Sequence, residues 1–402
     1  MTDMHPKSGR DVVITGIGLV TSLGVGLGAH VEKLRGAEPL LPVLDFDVLP
    51  SHPVHPLPEI DWSGQIPRRG DQRQMENWQR LGVYAAGLAL DDAGLKEDLD
   101  ACAEMDLFVA AGGGERDVAV DSLIVEAARG RDDREIVLNE KLTTELRPTL
   151  FLAQLSNLLA GNITIVHKVT GSSRTFMGEE SAGVSAFEIA HARIAAGQST
   201  RCLVGSAFVA ERPDIMFHVT SLGQNDRALA QSRDPSVRPD GVVLGTVGAF
   251  MVLEERSAAE ARGARIYATL DAVAGDRGSR EENRLEQRLI RLADTVAPEA
   301  QAVDLVVSAA PGIPAIDARQ AASIDQLYPD ATLRRPVTAF GHSVEAQFPL
   351  SVALAALAVA ADHPLAPLAA DDRQGNTPAR TAVIAASGMR RGEAMARVSR
   401  FD

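Results

Sequence analysis

Residues 171–190, GSSRTFMGEESAGVSAFEIA, read as the end of a strand, a sharp turn and the start of a helix, with Glu179 and Glu180 at the turn. Such a turn lifts one side chain to the positive end of a helix, where free amides and aligned peptide dipoles stabilise developing negative charge. It is a common mount for a nucleophile, and Cys or Ser is the usual occupant. A Glu there means either a different chemistry or a site that has been retired. The plainer alternative is that both acids simply complement the helix dipole, worth about 0.3–1 kcal/mol each, and this predicts exposed side chains.

Outward from this stretch, β-branched runs alternate with Ala-rich helical stretches, which predicts an α/β chain whose buried sheets are covered by helices. The strand patterns come in pairs. MDLFVAAGGG at 105–114 is echoed by VDLVVSAAPG at 303–312, and CLVGSAF from Cys202 by AVIAASGM from Ala382. Two echoes in the same order imply an internal duplication, with halves at 1–254 and 255–402 meeting near MVLEERSAAEARGARIYATL. Residues 39–73, rich in Pro and Gly, are expected as an exposed excursion. A second insertion, 115–148, is charged but keeps helical spacing, and such insertions are where partner surfaces and tunnels are often built.

With 402 residues, 45% hydrophobic and 23% charged, the chain has ordinary globular composition and length for a sizeable core. A formal net charge of −14 argues against an electrostatic grip on nucleic acid or anionic membrane. Cys102 and Cys202 are the two cysteines, which suits a reducing compartment, with the cytoplasm as the default. The polar start, MTDMHPKSGR, has no apolar core of the kind a signal peptide needs. The longest apolar run, 348–361, is too short to cross a bilayer and reads as a buried helix.

Several stretches together resemble the β-ketoacyl-acyl carrier protein synthases, condensing enzymes of the thiolase fold, along nearly the whole chain. DVVITGIGLVTSLG from Asp11 is similar to the family's opening strand, LSNLLAGNITIVHKVTG from Leu155 to the approach to the nucleophile, and RPDGVVLGTVGAFMVLE from Arg238 to the signature closing the first half. ARGARIYATL from Ala261 and GHSVEA from Gly341 follow in the family's order. The resemblance implies a thiolase-like α/β fold of two similar βαβ halves in five αβαβα layers, assembled as a dimer. It implies acyl carrier protein as a partner, and no cofactor or metal is expected.

The family's chemistry uses an elbow Cys to take the acyl chain, two His to drive decarboxylation of the malonyl donor, and a Lys. Counting from Gly171, the family spacing puts Glu180 at the Cys position. Ala309, give or take one residue, falls at the first His, Val337 at the Lys, and Met389 at the Phe that gates the nucleophile; His342 survives as the second His. Met389 and Glu179 are expected beside the substrate pocket. A carboxylate is weakly nucleophilic and would form a reactive mixed anhydride, so acyl loading on Glu180 is not expected. The set resembles the chain-length factor, the inactive half of heterodimeric ketosynthases, and implies a catalytic ketosynthase as partner in fatty acid or polyketide elongation.

Two other readings stand beside it. In one, Glu180 and His342 carry out malonyl decarboxylation or thioester hydrolysis; in the other, a homodimer holds acyl groups or acyl carriers without turnover. Simpler readings also exist for single residues. His342 could be a core histidine with backbone partners, Cys202 a small hydrophobe within a strand, and the pairs Arg68-Arg69 and Arg390-Arg391 solvated charge or a docking patch for an acidic carrier.

Overall fold

The computed structural model describes residues 10–49, 52–148, 150, 154–235, 237, 239–281, 283–298, 302–375 and 377–402, so nearly all of the polar start lies outside it. Short runs of β-branched and small apolar residues form the main strands: β1 Val12–Thr21, β2 Asp106–Ala110, β3 Ser173–Phe176, β4 Arg201–Phe208, β5 Val247–Glu255, β6 Ala268–Asp276, β7 Leu305–Ala309, β8 Thr332–Arg334, β9 Thr381–Ser387 and β10 Glu393–Arg400. Most are buried on both faces, as strands sandwiched between helices must be.

They join in one sheet of order β8-β7-β9-β10-β6-β1-β5-β4-β2-β3, with a two-residue strand, Gly24–Val25, folded back on β1. From the centre outward, the first five strands run β1-β5-β4-β2-β3 and the second five run β6-β10-β9-β7-β8, the same path displaced by five. The pairing senses repeat as well. β2 is parallel to β3 and β4 while β5 is antiparallel to β4 and β1; β7 is parallel to β8 and β9 while β10 is antiparallel to β9 and β6. The echoed sequences occupy equivalent places, β2 with β7 and β4 with β9. The two paths meet where Val13 and Ile14 of β1 pair with Thr269 and Ala268 of β6.

The helices used below are α1 Asn77–Asp92, α2 Val118–Ala128, α3 Arg134–Glu145, α4 Asn157–His167, α5 Glu180–Ala195, α6 Arg284–Val296, α7 Pro314–Leu327 and α8 Gln347–Ala360. α1 and α4 cover the outside of the first five strands, and α6 and α7 the outside of the second five. Between them, α5 packs on β2, β4 and β6, and α8 on β7, β9, β10, β5 and α5. The layering is therefore αβαβα, with one apolar cluster around α5 and α8 and one under each outer pair. α8 is apolar on every face and buried from Gln347 to Val359, as a helix with sheet on both sides must be. α6 instead turns Leu285, Leu289, Leu292 and Val296 inward and keeps its other face polar.

Close approach is set by glycine at one point: a Cβ on Gly18 would stand 1.9 Å from the Ala85 carbonyl oxygen, so α1 rests directly on β1. At the centre, buried Glu254 of β5 accepts from Thr15 Oγ1 at 2.6 Å, Arg201 Nε at 3.1 Å and Arg262 Nη2 at 2.5 Å. This joins β1, β4 and the chain leaving β5.

The insertion at 115–148 holds α2 and α3, on which Val125 and Ile136 are each 65% exposed. Most described residues of 39–73 are exposed or half-buried, as expected of an excursion, but Val54–His55 departs from it. Val54–His55 pairs in parallel with Leu244–Gly245, both residues are buried, and His55 abuts Gly341. Backbone pairing anchors a segment whose composition suggested only loop. Among the described residues, no helix is long and apolar enough to cross a membrane.

Candidate functional site

β3 ends at Phe176 at the C-terminal edge of its parallel pairing with β2, and α5 starts at Glu180. The reversal between them is carried by Gly178 at φ 135° and by Glu179 at φ 56°, ψ −140°. A non-glycine residue at positive φ is strained, and strain of this kind collects at functional turns. Glu179 is half-buried at the helix cap. Glu180, at the first helical position, is 6% exposed, so the expectation of two exposed acids holds for neither and fails outright for Glu180. The helix points inward between the two half-sheets, and its first side chain is therefore enclosed.

Two segments converge on Glu180. Its Oε1 lies 2.9 Å from His342 Nε2 and accepts from the Met389 backbone amide at 3.0 Å. Burial pushes the carboxyl pKa up, but the hydrogen bond and charge of His342 and the Met389 amide outweigh it and hold Glu180 below its ordinary range. The carboxylate can only accept, so His342 Nε2 carries the proton. The simple reading of His342 as a core histidine satisfied by backbone is corrected: among the described residues its one ring partner is Glu180, and Nδ1 is buried without a hydrogen bond.

His342 is held by its backbone. Its amide donates to Val243 O at 2.7 Å, and Gly245 N donates to its carbonyl at 2.9 Å. The LGTVG and FGH stretches fit together because both carry glycine at the crossing, where a Cβ on Gly245 would stand 1.7 Å from Phe340 O. The loop bearing Met389 is fixed by Arg280, which donates to Gly388 O at 2.6 Å, to Met389 O at 3.3 Å and to Glu393 at 2.8 Å; Glu393 also pairs with Arg288 at 2.5 Å.

A cavity of about 250 Å³ adjoins Glu180, and Ala309, Gln347, Phe348, Ser387 and Gly388 share its walls. The structure thus brings Glu180, His342, Met389 and Ala309 to one place. Met389 contributes a backbone amide to Glu180 rather than a side-chain wall, and neither it nor Glu179 lines the cavity, contrary to the expectation for both. Val337 is half-buried on a short helix, Pro336–Phe340, and is not part of the cavity wall either. Both thiols are elsewhere. Cys202 is buried in β4, where burial pushes its thiol up to about 12, and Cys102 donates to Leu95 O at 3.3 Å. Arg68, Arg69, Arg390 and Arg391 are exposed.

Two buried polar residues beside the site were not singled out in the sequence. Glu345 is 8% exposed, and burial, with the Glu180 charge added, raises its carboxyl to about 7 despite Arg212 and His342. Gln347 is 2% exposed. The available signal was their position as the polar residues leading into the apolar run of α8.

The family model described as β-ketoacyl synthase, N-terminal domain, matches residues 60–259. The chain is 29% identical over 276 residues to 3-oxoacyl-(acyl-carrier-protein) synthase 2 of Rhizobium meliloti (strain 1021), covering 64% of this chain and 62% of that one. It is 30% identical over 337 residues to the actinorhodin polyketide putative beta-ketoacyl synthase 2 of Streptomyces coelicolor, covering 79% and 77%. The alignment thus spans less than two thirds of the synthase 2 relative's length and more than two thirds of the polyketide relative's. Among solved structures, the ishigamide ketosynthase/chain length factor superposes with a TM-score of 0.78 at 20% identity over 98% of this chain and 100% of that one. A β-ketoacyl synthase from Burkholderia phymatum STM815 gives 0.79 at 18% identity with the same coverage. The structural likeness establishes a thiolase-like fold, and with the sequence match it leads to one conclusion: the chain belongs to the β-ketoacyl synthase family.

Proposed function

We propose that this chain is a non-condensing member of the family that pairs with a catalytic ketosynthase, as a chain-length factor does, and helps shape the acyl tunnel during fatty acid or polyketide elongation. The observation that carries the reading is the seat at the head of α5. It holds a buried carboxylate, already engaged by His342 and the Met389 amide, where acyl transfer needs a free nucleophile. Glu180 stands at the family's Cys position by spacing, with Ala309 and Val337 at those of the first His and the Lys. A thiolate at a helix start is a good nucleophile whose thioester persists until transfer, whereas a carboxylate held ionised by hydrogen bonds is a weak nucleophile and its acyl product would be a reactive mixed anhydride. We take the halves as 1–254 and 255–402, and the unpaired, buried cysteines fit a cytoplasmic setting.

A partner is supported by the surface. β3 is the terminal strand of the sheet, and near-by sequence leaves Ile165 and Met177 exposed, as α2 and α3 leave Val125 and Ile136. Exposed apolar residues and an open sheet edge each suit an interface. One solved structure of similar fold, a type II PKS acyl-carrier protein in complex with its ketosynthase, supports a carrier protein as the second partner.

The Glu180–His342 contact also resembles the start of a general-base arrangement for thioester hydrolysis. Against that stands the lowered carboxyl pKa, since a base works best when its pKa lies near the operating pH. The test is elongation of acyl carrier protein with malonyl carrier protein, by this chain alone, by the candidate ketosynthase alone and by the two together, following CO2 release and product length. Elongation to a defined length only in the mixture is expected. Decarboxylation by the lone chain that disappears in Glu180→Ala would overturn the proposal.

A further inference from the structure

A second cavity, of about 260 Å³, shares no lining residue with the one beside Glu180. Four segments wall it: α1, the glycines that follow β2, the end of β4 with the chain just beyond it, and the turn at Val344 and Glu345. Gly113 is exposed, and a Cβ there would have no atom within 4 Å, so the cavity meets solvent past this residue. Glu345 sets the character of the space. Val344 holds φ 44°, a conformation that a β-branched residue rarely adopts, at the start of the turn Val344–Ala346. The carboxyl end of the next side chain, not its stem, reaches the wall: a Cβ on Gly112, itself a lining residue, would stand 2.3 Å from Glu345 Oε1. Glu345 is 8% exposed, and beyond its own backbone amide no described residue hydrogen-bonds its carboxyl.

The charged residues of the wall are Arg212, Asp214 and Glu345, and the first two cancel. Arg212 donates to Asp214 from Nε at 2.8 Å and from Nη2 at 2.5 Å, and to the carbonyls of Gly113 and Gly114 at 3.3 and 3.2 Å, so its guanidinium is fully engaged. Behind the wall, Glu180 and His342 face Glu345 but are paired with each other. Glu115 adds a further carboxyl beside Arg212, with Glu211 near it and Glu76, which Arg147 pairs at 3.3 Å. An anion would therefore meet Glu345 and Glu115 without a free donor, and a neutral group would leave the Glu345 charge buried and uncompensated. A cation compensates it, and the aromatic residues Trp78 and Phe208 in the same wall suit a cation with an apolar body. We propose that this cavity binds a small primary ammonium, its nitrogen against Glu345 and its apolar body against Trp78, Phe208 and Ile215. A volume of about 260 Å³ accommodates one ring with its aminomethyl group. The site goes beyond the function proposed above and does not depend on the state of Glu180 as an acyl carrier.

Benzylamine is the probe, titrated into the full chain at pH 8 by calorimetry and by saturation-transfer NMR, with benzyl alcohol and benzoate as the neutral and anionic controls. Saturable binding of benzylamine is expected, with both controls weaker by at least about tenfold, because a buried charge left unpaired rejects an analogue that does not match it. Glu345→Gln keeps the shape of the side chain and removes its charge, and should weaken benzylamine by a similar factor. Burial, with the Glu180 charge added, raises the Glu345 carboxyl to about 7, so the empty site is mostly protonated at pH 5.5. Benzylamine should accordingly bind at least about tenfold more weakly at pH 5.5 than at pH 8. If Glu345→Gln fails to fold, the ligand series and the pH ratio on the unaltered protein decide. Equal binding of benzyl alcohol, an unaffected Glu345→Gln variant, an affinity that does not change with pH, or no saturable benzylamine signal up to its solubility limit overturns the inference. None of these outcomes touches the functional reading, which the elongation assay tests separately.

Discussion

Glu180 and Glu345 are buried carboxyls whose surroundings push them in opposite directions, and each leaves its own mark on stability against pH. Glu180 is held below its ordinary value of 4.5, so its contribution is complete above that value and is lost as pH falls through the lower folded value. Glu180→Gln should therefore be less stable than the parent at neutral pH, by about 1–3 kcal/mol. The gap should close on acidification below pH 4.5 in denaturant titrations. Glu345 rises from 4.5 to about 7, facing Glu180, Arg212 and His342. The unfolded chain releases this proton first, so stability falls with rising pH between 4.5 and about 7 and is flat above. Glu345→Gln should remove that fall and gain up to about 3 kcal/mol at pH 8, an upper bound at ~1.4 kcal/mol per pKa unit. At this scale the sequence located Glu180 and His342 by motif and spacing. Their contact, across 162 positions, is set by tertiary packing and has no local signature.

The elements were the most legible part. Period and composition marked β2, β4, β7 and β9, and their echoes anticipated the repeated path through the sheet. What could not be read was how closely the elements approach. Gly18 looks like any strand glycine, yet a Cβ there would meet the Ala85 carbonyl at 1.9 Å. Gly18→Ala should cost about 1–3 kcal/mol by forcing α1 away from β1, measurable as a shift in denaturant midpoint with little change in slope. Glu254 was seen only as the last residue of a strand motif. Because three buried or half-buried partners converge on it, Glu254→Leu should cost about 3 kcal/mol and leave Arg201 and Arg262 uncompensated. Within 39–73 the anchor at Val54–His55 could not be read, because its pairing partner, Leu244–Gly245, lies 190 positions away.

For the whole molecule, the proposed partnership makes the apolar residues on α2 and α3 part of an interface. A double variant, Val125→Asp with Ile136→Asp, should weaken association with the catalytic ketosynthase by at least about tenfold while leaving the unfolding midpoint of the isolated chain unchanged, since both side chains are 65% exposed. The most direct measurement is simpler still. Incubate the isolated chain with acyl carrier protein and with a soluble acyl thioester, quench during the period in which a catalytic ketosynthase loads fully, and record the intact mass. The expected spectrum shows the unmodified polypeptide alone; an acyl adduct formed at that rate and mapped to Glu180 would contradict the assignment of this seat as one that carries no chain.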